Sequence, residues 1–177
     1  MPLLQSLFVL KFPLLLTVLL SGCDRLPESF PPPAQKASLE ISGGLAHDVN
    51  MSDPDADVYL GQGFRQKSEG PWRWAHEHPV LRFYLPPLGR AKFTMAFALP
   101  EQTFRLTGPV TLTISVNGRV LDRARYDKPG GQQYTHEVPA EFLKQGINLV
   151  AIEPDRVAEP NPGEKLSFVL IRAGFTE

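Results

Sequence analysis

The feature that most constrains the fold is a run of alternating apolar and polar residues, Val110–Val116, followed directly by Asn117-Gly118. In an extended strand its four aliphatic side chains share one face, and two threonines and a serine share the other. Such alternation is typical of a strand with one face in a core and one in water. Asn-Gly between two apolar runs is the strongest short-range hairpin signal. The stretch therefore predicts an antiparallel β-hairpin.

Similar short runs recur along the chain, separated by glycine, proline and asparagine. They lie at residues 38–42, 80–85, 92–99, 134–138, 147–152 and 166–171. Residues 139–146 are expected to form one helical turn that Gly146 ends. About eight short strands at regular spacing, with almost no helix, predict an all-β protein built as a β-sandwich.

The chain contains a single cysteine, Cys23, which directly follows an apolar segment. The uncharged residues 12–22 are too few for a membrane helix, which needs about 20. Extending the segment backwards would place Lys11 in the bilayer, at a cost of about 2.5–3.5 kcal/mol. A secretory signal peptide is therefore favoured over a permanent membrane helix.

The four residues Leu20-Ser21-Gly22-Cys23 resemble the lipobox of bacterial lipoproteins. An aliphatic residue stands three places before the cysteine, and a small residue directly precedes it. The resemblance implies that the Cys23 thiol takes a diacylglyceryl group, that the chain is cut before it, and that the new amino group is often acylated. Two or more acyl chains anchor a protein stably, whereas one binds only marginally. The alternative is an ordinary cleavage site beside an unrelated cysteine.

The residue after the cysteine, Asp24, resembles the signal that retains lipoproteins in the inner membrane of enteric-type bacteria. We therefore expect the chain in the bacterial cell envelope, anchored to the bilayer through acylated Cys23 on the periplasmic face of the inner membrane. One lipidated cysteine leaves no disulfide within the chain, so the core alone has to hold the domain.

The composition divides the chain into three expected parts: a signal peptide at 1–22, a lipidated, proline-rich tether at 23–37, and a β-sandwich domain at 38–177. Proline-rich linkers extend by about 3.1 Å per residue. The net charge is −1 and there is no basic run. Nucleic-acid binding requires a basic face, and it is not expected here.

Two segments, 116–118 and 138–150, carry the patterns "V-N-G" and "L-x-x-G-x-N-x-(hydrophobic)". They resemble the galactose-binding-like jelly rolls over about residues 57–174. Three upstream pairs resemble the start of such domains in polysaccharide-synthesis enzymes: Gly63-Phe64, Glu69-Gly70 and Arg73-Trp74. The resemblance implies a jelly-roll β-sandwich. Many members of this group bind sugars, and others only support a neighbouring domain.

The residues that carry the resemblance are predicted to be structural. Asn117 and Gly118 can both adopt the positive φ angles of a type I′ turn. Gly146 can cap the preceding turn in a left-handed conformation, and Asn148 can bond the backbone of its own turn. They are therefore interpreted as scaffold rather than as ligand contacts.

The strongest candidate for a binding site is the stretch from Trp72 to Glu77. Trp72 and Trp74 share a face if the stretch is a strand, and exposed indoles can stack on sugar rings. Arg73, His76 and Glu77 are then the candidates for bonds to sugar hydroxyls. The alternative is that both tryptophans fill the core, where aromatic side chains bury large areas.

The sequence patterns that could indicate a metal site are weaker than those for the carbohydrate site. His76 and His78 alone fall short of the three or four ligands that zinc needs. The acidic residues 47–57 are rich in oxygen ligands, but the EF-hand pattern fails because valine and phenylalanine stand where glycine and glutamate are needed. A solvated acidic loop is the main interpretation. No cofactor is predicted, although galactose-binding-like domains often carry a structural calcium, which leaves that ion open.

Catalysis has little support, and the chain is predicted not to be an enzyme. Glu69, Glu77 and Glu153 show no spacing that predicts two facing carboxylates, as glycoside hydrolysis requires. The leading hypothesis is a non-catalytic module that binds a carbohydrate or supports its handling. The alternative is a structural or protein-interaction subunit of an envelope complex, which an exposed apolar patch would favour.

Overall fold

The computed structural model describes residues 46–86 and 90–177, which form eleven strands and one α-helix. The first strands are Asp48–Asn50 (β1), Arg73–Trp74 (β2), Val80–Leu85 (β3), Ala91–Leu99 (β4), Val110–Val116 (β5) and Arg119–Tyr126 (β6). The remaining strands are Gly130–Val138 (β7), Gly146–Pro154 (β8), Ala158–Asn161 (β9), Glu164–Leu166 (β10) and Val169–Thr176 (β11). The helix is Glu101–Thr107 (α1), and single 3-10 turns form at Ala56–Tyr59 and Ala140–Phe142.

Two antiparallel sheets face each other. The first has the order β1-β11-β4-β7, with β2 also paired to β11, and the second has the order β3-β8-β5-β6. The pairs are nested along the chain, since β1 pairs with β11, β3 with β8, β4 with β7, and β5 with β6. This nesting across two sheets is the jelly-roll arrangement, so the predicted fold class is confirmed.

The core lies between the sheets and is lined by every second residue of the central strands. In β4 the alternation buries Phe93, Met95 and Phe97 and leaves the residues between them half-exposed. Phe83 from the second sheet packs against Phe93 and Phe175 of the first, with ring centroids 5.3–6.3 Å apart among the three. Among the described residues, the buried members of this core run from Val49 to Phe175 and form one cluster, so this part of the chain carries a core of its own.

The predicted hairpin between β5 and β6 is confirmed. Asn117 has φ 51° and Gly118 has φ 81°, as a type I′ turn requires. Gly146 also takes a positive φ, 98°, where β8 begins. The helical turn expected before it is the 3-10 turn Ala140–Phe142.

Two expectations differ from the structure, and a third group is not tested by it. Helix α1 was not expected, because Pro100 at its N-cap offers no capping side chain and threonine favours helices weakly. The single strand expected at 166–171 is two strands, since Ser167 leaves the ladder and donates its backbone N–H to Ala75. The expected strand at 38–42, the signal peptide and the tether lie outside the described residues, so these remain predictions.

Within residues 46–86 and 90–177, no helix has the length and apolar character needed to cross a membrane.

Candidate functional site

The stretch from Trp72 to Glu77 contains both tryptophans and lies beside the first residues of β11. Strand β2 pairs antiparallel with it, Trp74 opposite Val169 and Arg73 opposite Leu170. Directly paired residues of an antiparallel ladder share a face. Arg73 therefore lies on the inner face with the fully buried Leu170, and Trp74 lies on the outer face with Val169.

The two tryptophans are outside the buried core. Trp72 is 36% exposed and Trp74 is half-buried. Trp72 precedes β2 and forms an isolated bridge with Gly70. The alternative in which both indoles fill the sandwich interior is therefore contradicted.

Arg73 does not lie on the surface, where a contact to sugar hydroxyls would need it. The residue is only 5% exposed, its guanidinium pairs with Asp57, and its Nη1 donates to the Gln66 carbonyl at 3.1 Å. The alternation that places the tryptophans outward places Arg73 inward, so the sequence already carried this signal. Arg73 instead ties the Gln66–Arg73 loop to the 3-10 turn that contains Asp57.

The Trp72 indole rests on the backbone of Gly70. A Cβ at Gly70 would lie 2.5 Å from the Cη2 and Cζ3 atoms of the ring, so no larger residue fits with the ring in place. Ser68 Oγ donates to the Gly70 carbonyl at 2.6 Å and holds the same turn. The close contact with Gly70 therefore holds the Trp72 ring in a fixed position.

An open depression of about 580 Å³ lies on one side of this loop, and we call it the Asp57 depression. Its polar lining includes Ser52, Asp53, Asp57, Gln66, Lys67 and Ser68, with Gly70, Pro71 and Arg73 at the loop side. Asp57 remains largely exposed despite its pairing with Arg73. The depression therefore offers both acceptors and donors of hydrogen bonds to solvent.

A second open depression, of about 550 Å³, is lined by His76, Glu77, Pro162, Gly163, Glu164 and Lys165, and we call it the His76 depression. Lys165 Nζ lies 2.8 Å from Glu77 Oε1. This hydrogen bond lowers the pKa of Glu77 and raises the pKa of Lys165. Both groups therefore stay charged near neutral pH and present an ion pair to solvent.

The orientation of His76 follows from its partner. Its Nδ1 lies 2.7 Å from the Lys165 carbonyl, and a carbonyl oxygen only accepts, so Nδ1 carries a hydrogen. In the neutral ring Nε2 is then an acceptor. His76 and Glu77 thus line one depression, whereas Arg73 is buried and neither tryptophan is among the residues that line it.

Arg65 connects the His76 depression to the Gln66–Arg73 loop, which we call the Trp72 loop. Its guanidinium forms ion pairs with both Glu69 of the loop and Glu164 of β10. No sequence pattern links these three residues, because Arg65 and Glu164 are 99 positions apart. The bridge formed by Arg65 and the contribution of Lys165 therefore could not be predicted from the sequence.

The described part of the chain brings no three His, Cys, Asp or Glu side chains together as metal ligands. His76 and His78 turn to different partners, the Lys165 carbonyl and Glu153. In the acidic loop, Asp48 pairs with Arg172, and Asp53 Oδ2 accepts the backbone N–H of Asn50 at 3.3 Å. These contacts fit the interpretation of a solvated loop.

The three glutamates considered for catalysis each face a different basic partner: Glu69 faces Arg65, Glu77 faces Lys165, and Glu153 lies 3.7 Å from His78. A glycosidase general acid needs a raised pKa. The pKa of Glu77 is lowered instead, so this residue is poorly suited to that role.

No family model matches the sequence, and no curated protein matches it. Among solved structures, a family 35 carbohydrate-binding module from an environmental isolate aligns over 78% of this chain and 90% of its own, with 14% identity and a TM-score of 0.42. A family 35 module from Clostridium thermocellum aligns over 73% and 98%, with 14% identity and a TM-score of 0.41. The module CBM36, in complex with calcium and xylotriose, aligns over 73% and 98%, with 7% identity and a TM-score of 0.45.

Proposed function

We propose that this chain is a lipid-anchored protein of the bacterial envelope whose jelly-roll domain is a non-catalytic module that binds carbohydrate at the Trp72 loop. The observation that carries the proposal is the Trp72 indole, seated on Gly70 and partly exposed. The Asp57 depression and the His76 depression lie on the loops just before and just after it in the chain.

The chemistry of this surface suits a sugar. An aromatic side chain offers a flat apolar face, which can stack on the C–H face of a pyranose. Sugar hydroxyls both donate and accept, and the His76 depression offers Lys165 as a donor with Glu77 and His76 Nε2 as acceptors. Both depressions are open, which favours a stretch of a chain over a small enclosed ligand.

Glycan binding is tested with residues 38–177 on an array that includes the organism's own polysaccharides. Trp72→Ala is expected to abolish binding, because it removes the stacking surface. The matched control is Tyr84→Ala, which removes an aromatic side chain that is 49% exposed on the other sheet. No binding by the unaltered domain, or equal loss in both variants, would refute the carbohydrate proposal.

The anchor is supported by the lipobox and Asp24, both outside the described residues. It is tested by growing cells with a labelled fatty acid and analysing the mature N-terminus by mass spectrometry. We expect label on Cys23 and none in Cys23→Ser. An unlabelled protein cleaved elsewhere would refute the anchor and leave the glycan result untouched.

The competing function is that of a structural or protein-interaction subunit in an envelope complex. Exposed apolar side chains favour it, and Tyr84, Val120, Ile147 and Leu149 are exposed on the second sheet. This function becomes the better one if the array shows no glycan and the patch binds a protein.

A further inference from the structure

Exposed apolar side chains concentrate on the outer face of the second sheet. Four of the seven large hydrophobic residues exposed in the described part of the chain lie there, with exposures of 46–56%. They are Tyr84 of β3, Val120 of β6, and Ile147 and Leu149 of β8. We call these four residues the apolar face.

The strand register brings the four side chains to one surface. Tyr84 pairs directly with Ile147, and Leu149 follows two positions later on the same side of β8. Val120 pairs with Ser115, which in turn pairs with Ala151, the next outward residue of β8. Apolar residues on a soluble sheet that are grouped in this way mark an interaction surface.

The same outer face carries arginines. Arg82 pairs with Leu149, and Arg123 pairs with Thr113 in the centre of the sheet. Arg82 donates its Nε–H to the Val58 carbonyl at 2.8 Å and its Nη2–H to the Leu60 carbonyl at 3.5 Å, and it forms no ion pair with the residues that the structure describes. Glu153, also paired with Thr113, is the acidic residue of this central row. The face is therefore apolar with a cationic border, which complements an apolar surface with anionic groups.

The first described residues fix where the chain enters the domain. The chain enters the described domain at Ala46, whose N–H donates to the Tyr59 hydroxyl at 2.8 Å. Tyr59 belongs to the 3-10 turn beside β3, and its ring packs 6.0 Å from Phe83. Strand β3 is the edge strand that carries Tyr84 and Arg82. Because Phe83 faces the core, the entry point lies at the edge of the sandwich, between β1 of the first sheet and β3 of the second.

The tether is long enough for the face to reach a bilayer. After Cys23 the predicted tether has 14 residues, 24–37, which span up to about 43 Å in an extended proline-rich form. Tethering also raises the effective concentration of a weak contact. A face with a few apolar side chains and arginines can therefore bind lipid when anchored, although it would bind little when free.

We infer that the apolar face docks on the anionic phospholipid surface in which Cys23 is anchored. Tyr84, Ile147 and Leu149 enter the headgroup layer, while Arg82 and Arg123 contact lipid phosphates. The inference rests on the proposed lipid anchor. Docking this sheet on the bilayer leaves the Trp72 loop, which belongs to the other sheet, free for a glycan.

The experiment uses residues 38–177 with an N-terminal histidine tag, held on vesicles by nickel-chelating lipid. This replaces the natural anchor, so the outcome does not depend on acylation of Cys23. The fragment contains no cysteine, so a polarity-sensitive dye can be placed by Leu149→Cys. The matched control is Ile171→Cys, an exposed apolar position on the first sheet.

On vesicles with about 30 mol % phosphatidylglycerol, the dye at position 149 is expected to shift to the blue, and the dye at 171 is not. Without the tag, binding to these vesicles should be about tenfold or more tighter than to phosphatidylcholine alone, and high salt should weaken it. Arg82→Gln with Arg123→Gln should remove that difference, with an unchanged Tm showing that the fold is intact.

Equal shifts at both positions, or no shift at position 149 on anionic vesicles, would overturn the inference. If no shift occurs at position 149, a protein partner becomes the better assignment for the apolar face. Trp72→Ala should leave the shift unchanged, and Tyr84→Ala should weaken it while glycan binding persists. Lipid docking, glycan binding and acylation can therefore each fail without the others.

Discussion

The side-chain nitrogen of Asn117 donates a hydrogen bond to Asn148 Oδ1 at 2.8 Å and so joins the β5–β6 turn to the start of β8. Asn148 is fully buried. Its Oδ1 also accepts the Lys144 backbone N–H, and its Nδ2 donates to the carbonyls of Lys144 and Gly146. Every hydrogen-bonding group of this buried amide is satisfied, as the scaffold interpretation predicted.

Replacing the Asn148 side chain is expected to destabilise the fold strongly. Asn148→Ala is expected to lower the free energy of unfolding by about 3 kcal/mol or more, because buried backbone groups and Asn117 lose their partner. Gln133→Ala is the control, since that amide is exposed, forms no side-chain hydrogen bond with the described residues, and should change stability by less than about 0.5 kcal/mol. Urea denaturation measures both. A loss below about 1 kcal/mol for Asn148→Ala would contradict the structural role.

Tyr134 carries a buried hydroxyl that makes no well-aligned hydrogen bond with the described residues, although the Asp122 carboxylate lies near it. Tyr134→Phe should therefore leave the free energy of unfolding unchanged or raise it by up to about 1 kcal/mol. The control is Tyr59→Phe, which loses the bond from Ala46 and should be destabilised by about 0.5–1.5 kcal/mol. Urea denaturation at neutral pH distinguishes the two, and a clear loss in Tyr134→Phe would show that the hydroxyl has a partner.

The same tyrosine should make stability depend on alkaline pH. Burial, and then the nearby Asp122 carboxylate, raise the pKa of Tyr134 above the ordinary 10.0. The folded state then holds its proton more tightly than the unfolded state, so stability falls as pH rises above 10. Urea midpoints between neutral pH and pH 11 should fall more steeply in the unaltered protein than in Tyr134→Phe. Parallel slopes would contradict the raised pKa.

Gly70 allows a test of the Trp72 platform that leaves the indole in place. Gly70→Ala puts a methyl group 2.5 Å from the ring, so the ring must move. We expect a changed tryptophan emission and at least about tenfold weaker glycan binding, since a displaced ring loses stacking worth about 1.4 kcal/mol or more. Gly131→Ala is the control, because nothing lies within 4 Å of its added Cβ. Unchanged glycan binding in Gly70→Ala would show that the contact between Gly70 and the Trp72 ring is not needed for binding.

Calcium should not stabilise the described domain. The acidic loop uses Asp48, Asp53 and Asp57 in contacts with other residues, and no three ligand side chains converge in the residues that the structure describes. A ligand stabilises a fold only by binding its folded state. The Tm should therefore be the same in calcium and in EDTA. A rise of several degrees with calcium would reveal a site that includes other groups.

The local features of the fold could be predicted from the sequence. The alternation in Val110–Val116 and the Asn117-Gly118 pair both act through the backbone of neighbouring residues, and both predictions are confirmed. The helix at Glu101–Thr107 was missed because its N-terminus lacks the side-chain cap that marks helix starts. Of the candidate site residues, His76 and Glu77 line an open depression and Arg73 is buried, and a role of the site in binding stays a prediction.

By itself the sequence determined the period of the strands, the tight turn and the prediction of a lipid anchor at Cys23, because each depends on residues close together in the chain. Only the tertiary structure determined which side chains lie next to each other. It paired Glu77 with Lys165 across 88 positions, seated the Trp72 ring on Gly70, and aligned Tyr84 with Ile147 on one open face. Those contacts depend on the register between strands far apart in sequence, and register is set by the packing of the whole core.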